Sequence, residues 1–297
     1  MNLPNQLRCP KRIALGGARG ALAATVLLLA VLPAFAQNAV ISHAEAPARL
    51  LRKTTVFQAP AGVRLQAGDI VEAGARSVQI EWANGARFAL GPGASLLVKD
   101  AGGLPALSVL RGWSKFATNA PAGGRLSLEA GAVSLQAAGA SGILHLAPDK
   151  TELFVETGTV ALSETDRADG QPLAVGREQY AQRDAVRPLA LTPRAPRLFI
   201  SSMPRVFLDP LVAVSSRAPA VAPTPLREVN AADLAAWHEA GPALRKRLVA
   251  QFAPRLADPA FRKEAESTLA DAPEWRDALR RHTAARNRAN TPLNYLF

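Results

Sequence analysis

Between Leu65 and Asp184 the chain is a succession of short apolar-alternating segments cut by glycines: GDIVEAGARSVQIEWANGARFALGPGASLLV, then LSVLRGWSKF, ILHLAPDKTELFVETGTVAL and LAVGREQYAQRD. Segments this short, each with period-two alternation and a turn on either side, read as half-buried strands, and many of them together demand an antiparallel roll or sandwich. The hairpin around Asn84-Gly85 is the clearest element. Val78, Ile80 and Trp82 alternate with Gln79 and Glu81 on the way in, and Phe88 and Leu90 alternate with Arg87 and Ala89 on the way out. Asn-Gly between such runs predicts a two-residue type I′ turn, in which both residues take positive φ. A second strand pair is expected at Ile143 to Leu146 and Glu152 to Val155, around Pro148-Asp149-Lys150, and Gly158 turns the chain again before Thr159 to Leu162.

The composition changes twice after this region. Residues 187–228 are dense in proline, with Pro188, Pro193, Pro196, Pro204, Pro210, Pro219, Pro223 and Pro225. Proline removes ladder donors, so the stretch is expected to hold no regular ladder and to run extended as a linker or over the surface. From residue 229 the pattern is helical. Asn230 is placed to cap a helix carrying Leu234 and Trp237, and Pro242 opens one carrying Leu244, Leu248 and Phe252. Asp258-Pro259 is a cap followed by a first-turn proline, and Pro273-Glu274 opens a helix bearing Trp275 and Leu279. The expected class is therefore α+β: a mainly antiparallel β-roll or β-sandwich over 37–186, a linker over 187–228, a small helical module over 229–285 and a tail over 286–297.

The first 36 residues carry Arg8, Lys11, Arg12 and Arg19 and no acidic residue, followed by an apolar stretch from Ala21 to Leu32, then Pro33 and Ala34-Phe35-Ala36. A basic start, a short apolar core and a small-x-small ending predict a cleavable signal peptide and a periplasmic location. The core is shorter than the roughly 20 residues of a spanning helix; an uncleaved anchor is the alternative. Cys9, the single cysteine, lies in this leader, so disulfides and thiolate chemistry are excluded from the mature chain. Removing the leader's four basic residues from the 35 leaves 31 against 24 acidic ones, a net charge of +7. Most of that charge is scattered rather than gathered on one face with aromatics between, so no nucleic-acid partner is expected.

No catalytic constellation stands out. His43, His145, His238 and His282 have no metal-ligand spacing, and no nucleophile elbow, phosphate loop or dinucleotide fingerprint occurs. Glu152 and Glu156 have strand spacing and read as solvated face charges rather than a glycosidase pair. No enzyme activity, cofactor or metal is expected. Trp113, Lys115, Trp237 and Trp275 are the candidate interaction residues: Trp113 because a tryptophan on a strand can stack on sugar, and the two later tryptophans as partner anchors, the alternative to reading the Leu, Phe and Trp stripe that carries them as a helical-hairpin core.

In order along the chain, Gly68-Asp69, Ala73-Gly74, Asn84-Gly85, Arg111-Gly112 with Phe116, Thr157-Gly158-Thr159-Val160 and Gly176-Arg177-Glu178 resemble the turns and closing strands of the FecR periplasmic domain. The pattern departs at Gly139-Ala140-Ser141-Gly142, where that family has Gly-Thr and an aromatic. The resemblance implies a β-rich binding and signalling domain, with Gly68, Asp69, Asn84, Gly85, Gly112, Gly158 and Gly176 at structural turns. In that family a cytoplasmic segment ahead of the membrane controls a sigma factor. Only about twenty residues precede the apolar stretch here, so the anti-sigma role is not expected. The expected partner is an envelope protein; an anionic envelope glycan or peptidoglycan is the alternative.

Overall fold

Alternation along the strands sorts their side chains into three separate cores rather than one. The computed structural model describes residues 39–290 apart from 120, 122, 168–170, 185, 215–218, 236 and 238–240; the predicted leader, His238 and residues 291–297 lie outside the described residues. Strands β1 (Ala39–Ala44), β2 (Ala48–Arg52), β3 (Thr55–Ala59), β4 (Ile70–Glu72), β5 (Val78–Trp82), β6 (Arg87–Leu90), β7 (Ser95–Asp100) and β8 (Ala106–Ala117) come first. They are followed by β9 (Arg125–Ala130), β10 (Val133–Ala138), β11 (Ser141–Leu146), β12 (Lys150–Thr157), β13 (Thr159–Glu164), β14 (Leu173–Gly176), β15 (Tyr180–Asp184) and β16 (Ala190–Thr192). Helix α1 (Arg197–Ser202) and strand β17 (Thr224–Glu228) precede the helices α2 (Ala231–Ala235), α3 (Pro242–Phe252), α4 (Pro259–Thr268) and α5 (Pro273–Asn290).

Two sheets share β8. Sheet I runs β1-β5-β6-β8-β11-β12-β15-β16, and sheet II runs β17-β3-β2-β4-β7-β8-β9-β10-β13-β14, antiparallel throughout except for β8 with β9. The first half of β8 pairs with β7 and β9, and the second half, from Gly112, pairs with β11 and β6. At that junction Gly112 has φ +85°, and a Cβ on it would lie 2.8 Å from Ala94 Cα. The strand changes sheets where only glycine can take the left-handed backbone and the close approach together.

Ile41, Ile80, Phe88, Phe116 and Leu144 of sheet I pack against Leu50, Val71, Leu96, Leu128 and Leu162 of sheet II to form the central core. Their chain neighbours Leu51, Ile70 and Leu97, with Val56, point out of sheet II into a second core shared with Leu234, Leu248, Phe252, Phe261 and Trp275 of the helices. The helical module thus builds its core against the outer face of sheet II, and the described residues fall within one compact unit. A third core lies on the outer face of sheet I.

The sequence-predicted starts and stops hold where local chemistry decides them. Asn230 Oδ1 accepts the Asp233 amide at 3.0 Å while the Asp233 carboxylate accepts the Asn230 amide at 2.9 Å, a reciprocal cap on α2. Asp258 accepts the Ala260 amide at 2.9 Å ahead of Pro259. Asn230→Ala is expected to cost about 1 kcal/mol in chemical denaturation, the usual loss on removing such a cap.

Three expectations are corrected. The 78–90 hairpin forms, but its loop is the three residues Ala83, Asn84 and Gly85: Trp82 pairs with Ala86, Gly85 donates to the Trp82 carbonyl at 2.9 Å, and only Gly85 has positive φ, at +83°. That is a type I turn closed by a left-handed glycine rather than a type I′ turn. The proline-dense 187–228 stretch runs over the surface rather than as a free linker, and it does hold short ladders: it carries β16, α1 and β17, the last paired with β3 despite Pro225 because proline is tolerated on an edge strand. Finally, α5 continues past residue 285 to Asn290, into the start of the expected tail.

Candidate functional site

Register places one row of residues across the outer face of sheet I: Gln79, Ala89, Lys115, Ile143, Phe154 and Tyr180 lie side by side on six adjacent strands. The segment from Pro193 to Val214, a strap, is held over this face. Its prolines prevent it from adding a regular strand, so its carbonyls need other partners. The sheet supplies them from side chains. The Lys115 ammonium, 1% exposed, donates to the Phe207 carbonyl at 2.7 Å, the Asp209 carbonyl at 2.9 Å and the Glu156 carboxylate at 2.7 Å. Arg87 donates to the Leu211 carbonyl, and Gln79 to the Val212 carbonyl at 2.9 Å. Glu81 in turn accepts the Val214 amide at 2.6 Å and a bond from Gln79 at 2.9 Å. Four neighbouring side chains therefore read the main chain of the strap, a form of grip that does not depend on the strap's side chains.

Phe199 and Phe207 fix the strap from within, buried against Ala89, Ile143 and Tyr180. Phe199 also meets Trp113 at 4.9 Å and the Tyr180 ring edge-on at 5.3 Å. Trp113 in turn stacks on His145 at 4.1 Å and 11°. Beneath this aromatic group Glu152 is buried and receives the Tyr180 hydroxyl at 2.6 Å, His145 Nδ1 at 2.8 Å and Lys150 at 3.1 Å.

Burial by itself would raise the Glu152 carboxyl, but the hydrogen bonds from His145, Tyr180 and Lys150 outweigh it and hold the group at about 2 against an ordinary 4.5. Tyr180 is pushed upward by burial and then by its bond to that carboxylate. A depressed carboxyl contributes stability that is complete above the unfolded value and is lost as pH falls from about 4.5 through about 2. Glu152→Gln is therefore expected to flatten the acid-unfolding curve across that window and to cost about 2 kcal/mol at neutral pH, since glutamine keeps part of the bonding. An unchanged acid limb in the variant would remove Glu152 from this role.

The four candidate interaction residues fall in three different places. Lys115 is the buried clamp of the strap, not an exposed contact, because the strap covers its strand. Trp237 and Trp275 are buried in the core between sheet II and the helices, where Trp237 packs on Phe252 and Trp275 on Phe261. Trp113 is partly exposed, yet its ring is already stacked within the protein. Glu152 and Glu156 are not solvated face charges; both are paired, as above.

Of the turn residues, Gly68 (φ +90°) accepts from Gln251 at its carbonyl at 3.0 Å, tying its turn to α3. Asp69 is buried, raised by that burial above the ordinary carboxylate range, and bound by both Arg52 Nε at 2.9 Å and Arg52 Nη2 at 2.6 Å. Gly158 approaches Gly139 so closely that a Cβ would sit 2.4 Å from its carbonyl oxygen. Gly176 donates to the Gln179 side chain at 2.7 Å, and Asn84 reaches the carbonyls of Gly103 and Arg125.

Gln79, Glu81 and Arg87 were not foreseen as site residues. Their signal was the polar half of the alternation in β5 and β6, which reads as solvent-facing until something is known to cover it. Among the described residues no three His, Cys, Asp or Glu side chains gather to hold a metal, and no helix is long and apolar enough to cross a membrane.

No protein-family model and no curated protein matches the chain. Two crystal structures of a Parabacteroides distasonis protein provisionally assigned as an anti-sigma factor are similar to it over 42% of this chain, with 11% and 10% identity and a TM-score of 0.36 for each. The match spans 59% of that protein's chain. A likeness that distant assigns no function.

Proposed function

We propose that the chain is an exported, non-catalytic interaction and signalling protein of FecR-like build, in which sheet I holds a segment of its own chain and an envelope protein reads whether that segment is held. The observation that carries this reading is the grip of Gln79, Glu81, Arg87 and Lys115 on the strap backbone. Buried and half-buried polar side chains spent on main-chain groups of a proline-broken segment are the chemistry of peptide recognition, here satisfied in cis. A held segment and a released one are two states that a partner can distinguish. Export rests on the leader-like first 36 residues, and the FecR-like build on the ordered turn motifs.

The glycan alternative loses its sugar-stacking candidate, because the Trp113 ring is already stacked on His145. The test is a photoreactive residue at Ser201, exposed on α1, crosslinked in intact cells in the wild-type background and with Lys115→Met. The expected result is one defined envelope protein whose yield changes when the clamp is removed. Recovery of glycan alone, or of the same protein in equal yield from both backgrounds, would sink the proposal.

A further inference from the structure

The strap turns a second set of side chains away from the sheet that grips it. Phe199 and Phe207 are buried, whereas Leu198, Ile200, Val206, Leu208 and Val212, beside them in the chain, are between 44% and 72% exposed. Those five are half of the large apolar side chains that stand exposed among the described residues, gathered into fifteen positions. Single exposed aliphatics need no explanation, but a concentration of them marks a surface that something covers.

The same segment carries Arg194, Arg197 and Arg205, all exposed. None of them has an ion pair or side-chain hydrogen bond among the described residues, whereas Arg49, Arg52, Arg183 and Arg227 each hold a carboxylate. Asp209 is the single acidic residue between 191 and 214.

The composition of this outer face selects its occupant. Protein contact centres are rich in Trp and Tyr and poor in Leu and Val; here the aromatics of the strap and its surroundings are turned inward, and branched aliphatics with free guanidinium groups remain outside. A second copy of the chain would bring arginines onto arginines. An anionic bilayer surface takes both features, aliphatics at the acyl boundary and arginines at the phosphates.

We propose that the outer face of the strap docks on an anionic lipid surface, with Leu198, Ile200, Val206, Leu208 and Val212 entering the interface and Arg194, Arg197 and Arg205 on lipid phosphates. This goes beyond the protein-interaction reading and does not depend on it.

Cosedimentation of the chain without its leader, residues 37–297, with vesicles of phosphatidylglycerol and phosphatidylcholine, and with phosphatidylcholine alone, tests it. Retention is expected only on the anionic vesicles, and Leu198→Ser with Leu208→Ser should weaken it by about tenfold or more, as the loss of two inserted aliphatics implies. Arg197→Gln with Arg205→Gln should weaken it comparably. Arg281→Gln with Arg288→Gln, on exposed positions of α5, should leave it unchanged. All six positions are exposed, so unaltered melting temperatures are expected and are checked first. Equal losses from the α5 and strap variants would assign retention to the general basic charge and overturn the proposal. Full retention by the leucine variant would do so as well. So would a concentration-dependent dimer, lost in the leucine variant, with no binding to vesicles.

Discussion

Lys115→Met is expected to free the strap while the two sheets stay assembled. Methionine keeps the apolar stem of the side chain but has no donors, so the carbonyls of Phe207 and Asp209 lose their bonds and Glu156 loses its counter-charge. Removing one partner of a buried charged cluster leaves the others desolvated and unpaired, and the expected loss is about 3–5 kcal/mol in chemical denaturation. The local signature separates this from a general weakening. Amides from Phe199 to Val214 should exchange much faster in the variant, and those of β10 and β13, on the far sheet, only as the global stability dictates. Adding Glu156→Gln should recover part of the loss by removing the stranded carboxylate. Unchanged exchange across 199–214 would mean that the phenylalanines alone hold the strap.

Gly112→Ala is expected to cost about 2–5 kcal/mol or to prevent folding. Two penalties combine: a left-handed backbone that costs a non-glycine residue about 1–2 kcal/mol, and a Cβ 2.8 Å from Ala94 Cα and 2.9 Å from Ala94 Cβ, an overlap that costs about 1–3 kcal/mol where backbone must yield. Because β8 belongs to both sheets, the strain falls on the link between them, and the near-ultraviolet signal of Trp82 and Trp113 should change with stability. A variant within about 0.5 kcal/mol of the wild type, the range of neutral surface changes, would show that the junction tolerates a side chain.

Elements governed by local chemistry were legible in the sequence. The alternation on either side of Asn84-Gly85, the strands around Pro148, and the caps Asn230 and Asp258 each depend on residues within a few positions of one another. What covers each face was not legible. Gln79 and Glu81 read as outward polar positions and are buried because residues 212 and 214 return over them, more than 130 positions later. Trp237 and Trp275 could be read as helical core or as anchors for a partner; they lie in the core, packed on Phe252 and Phe261 of the helices.

The doublets Leu50-Leu51, Ile70-Val71 and Leu96-Leu97 carried the missing signal. A strand that is apolar at consecutive positions has something to bury on both sides, and each of these doublets sends one side chain to the central core and one to the helices. Proline density ruled out an extended ladder through most of 187–228, but it says nothing about a segment held by another element's side chains.

The pairing of β17 with β3 joins residues 224–228 to residues 55–58, so the edge of a strand made early in synthesis stays open for about 165 residues more. An open edge beside the uncovered Leu51, Val56, Ile70 and Leu97 is a template for pairing between molecules. The late segments therefore act as a built-in guard against self-association. A chain cut at residue 186, although it would contain the first fifteen strands, would display both the bare edge and the bare face at once.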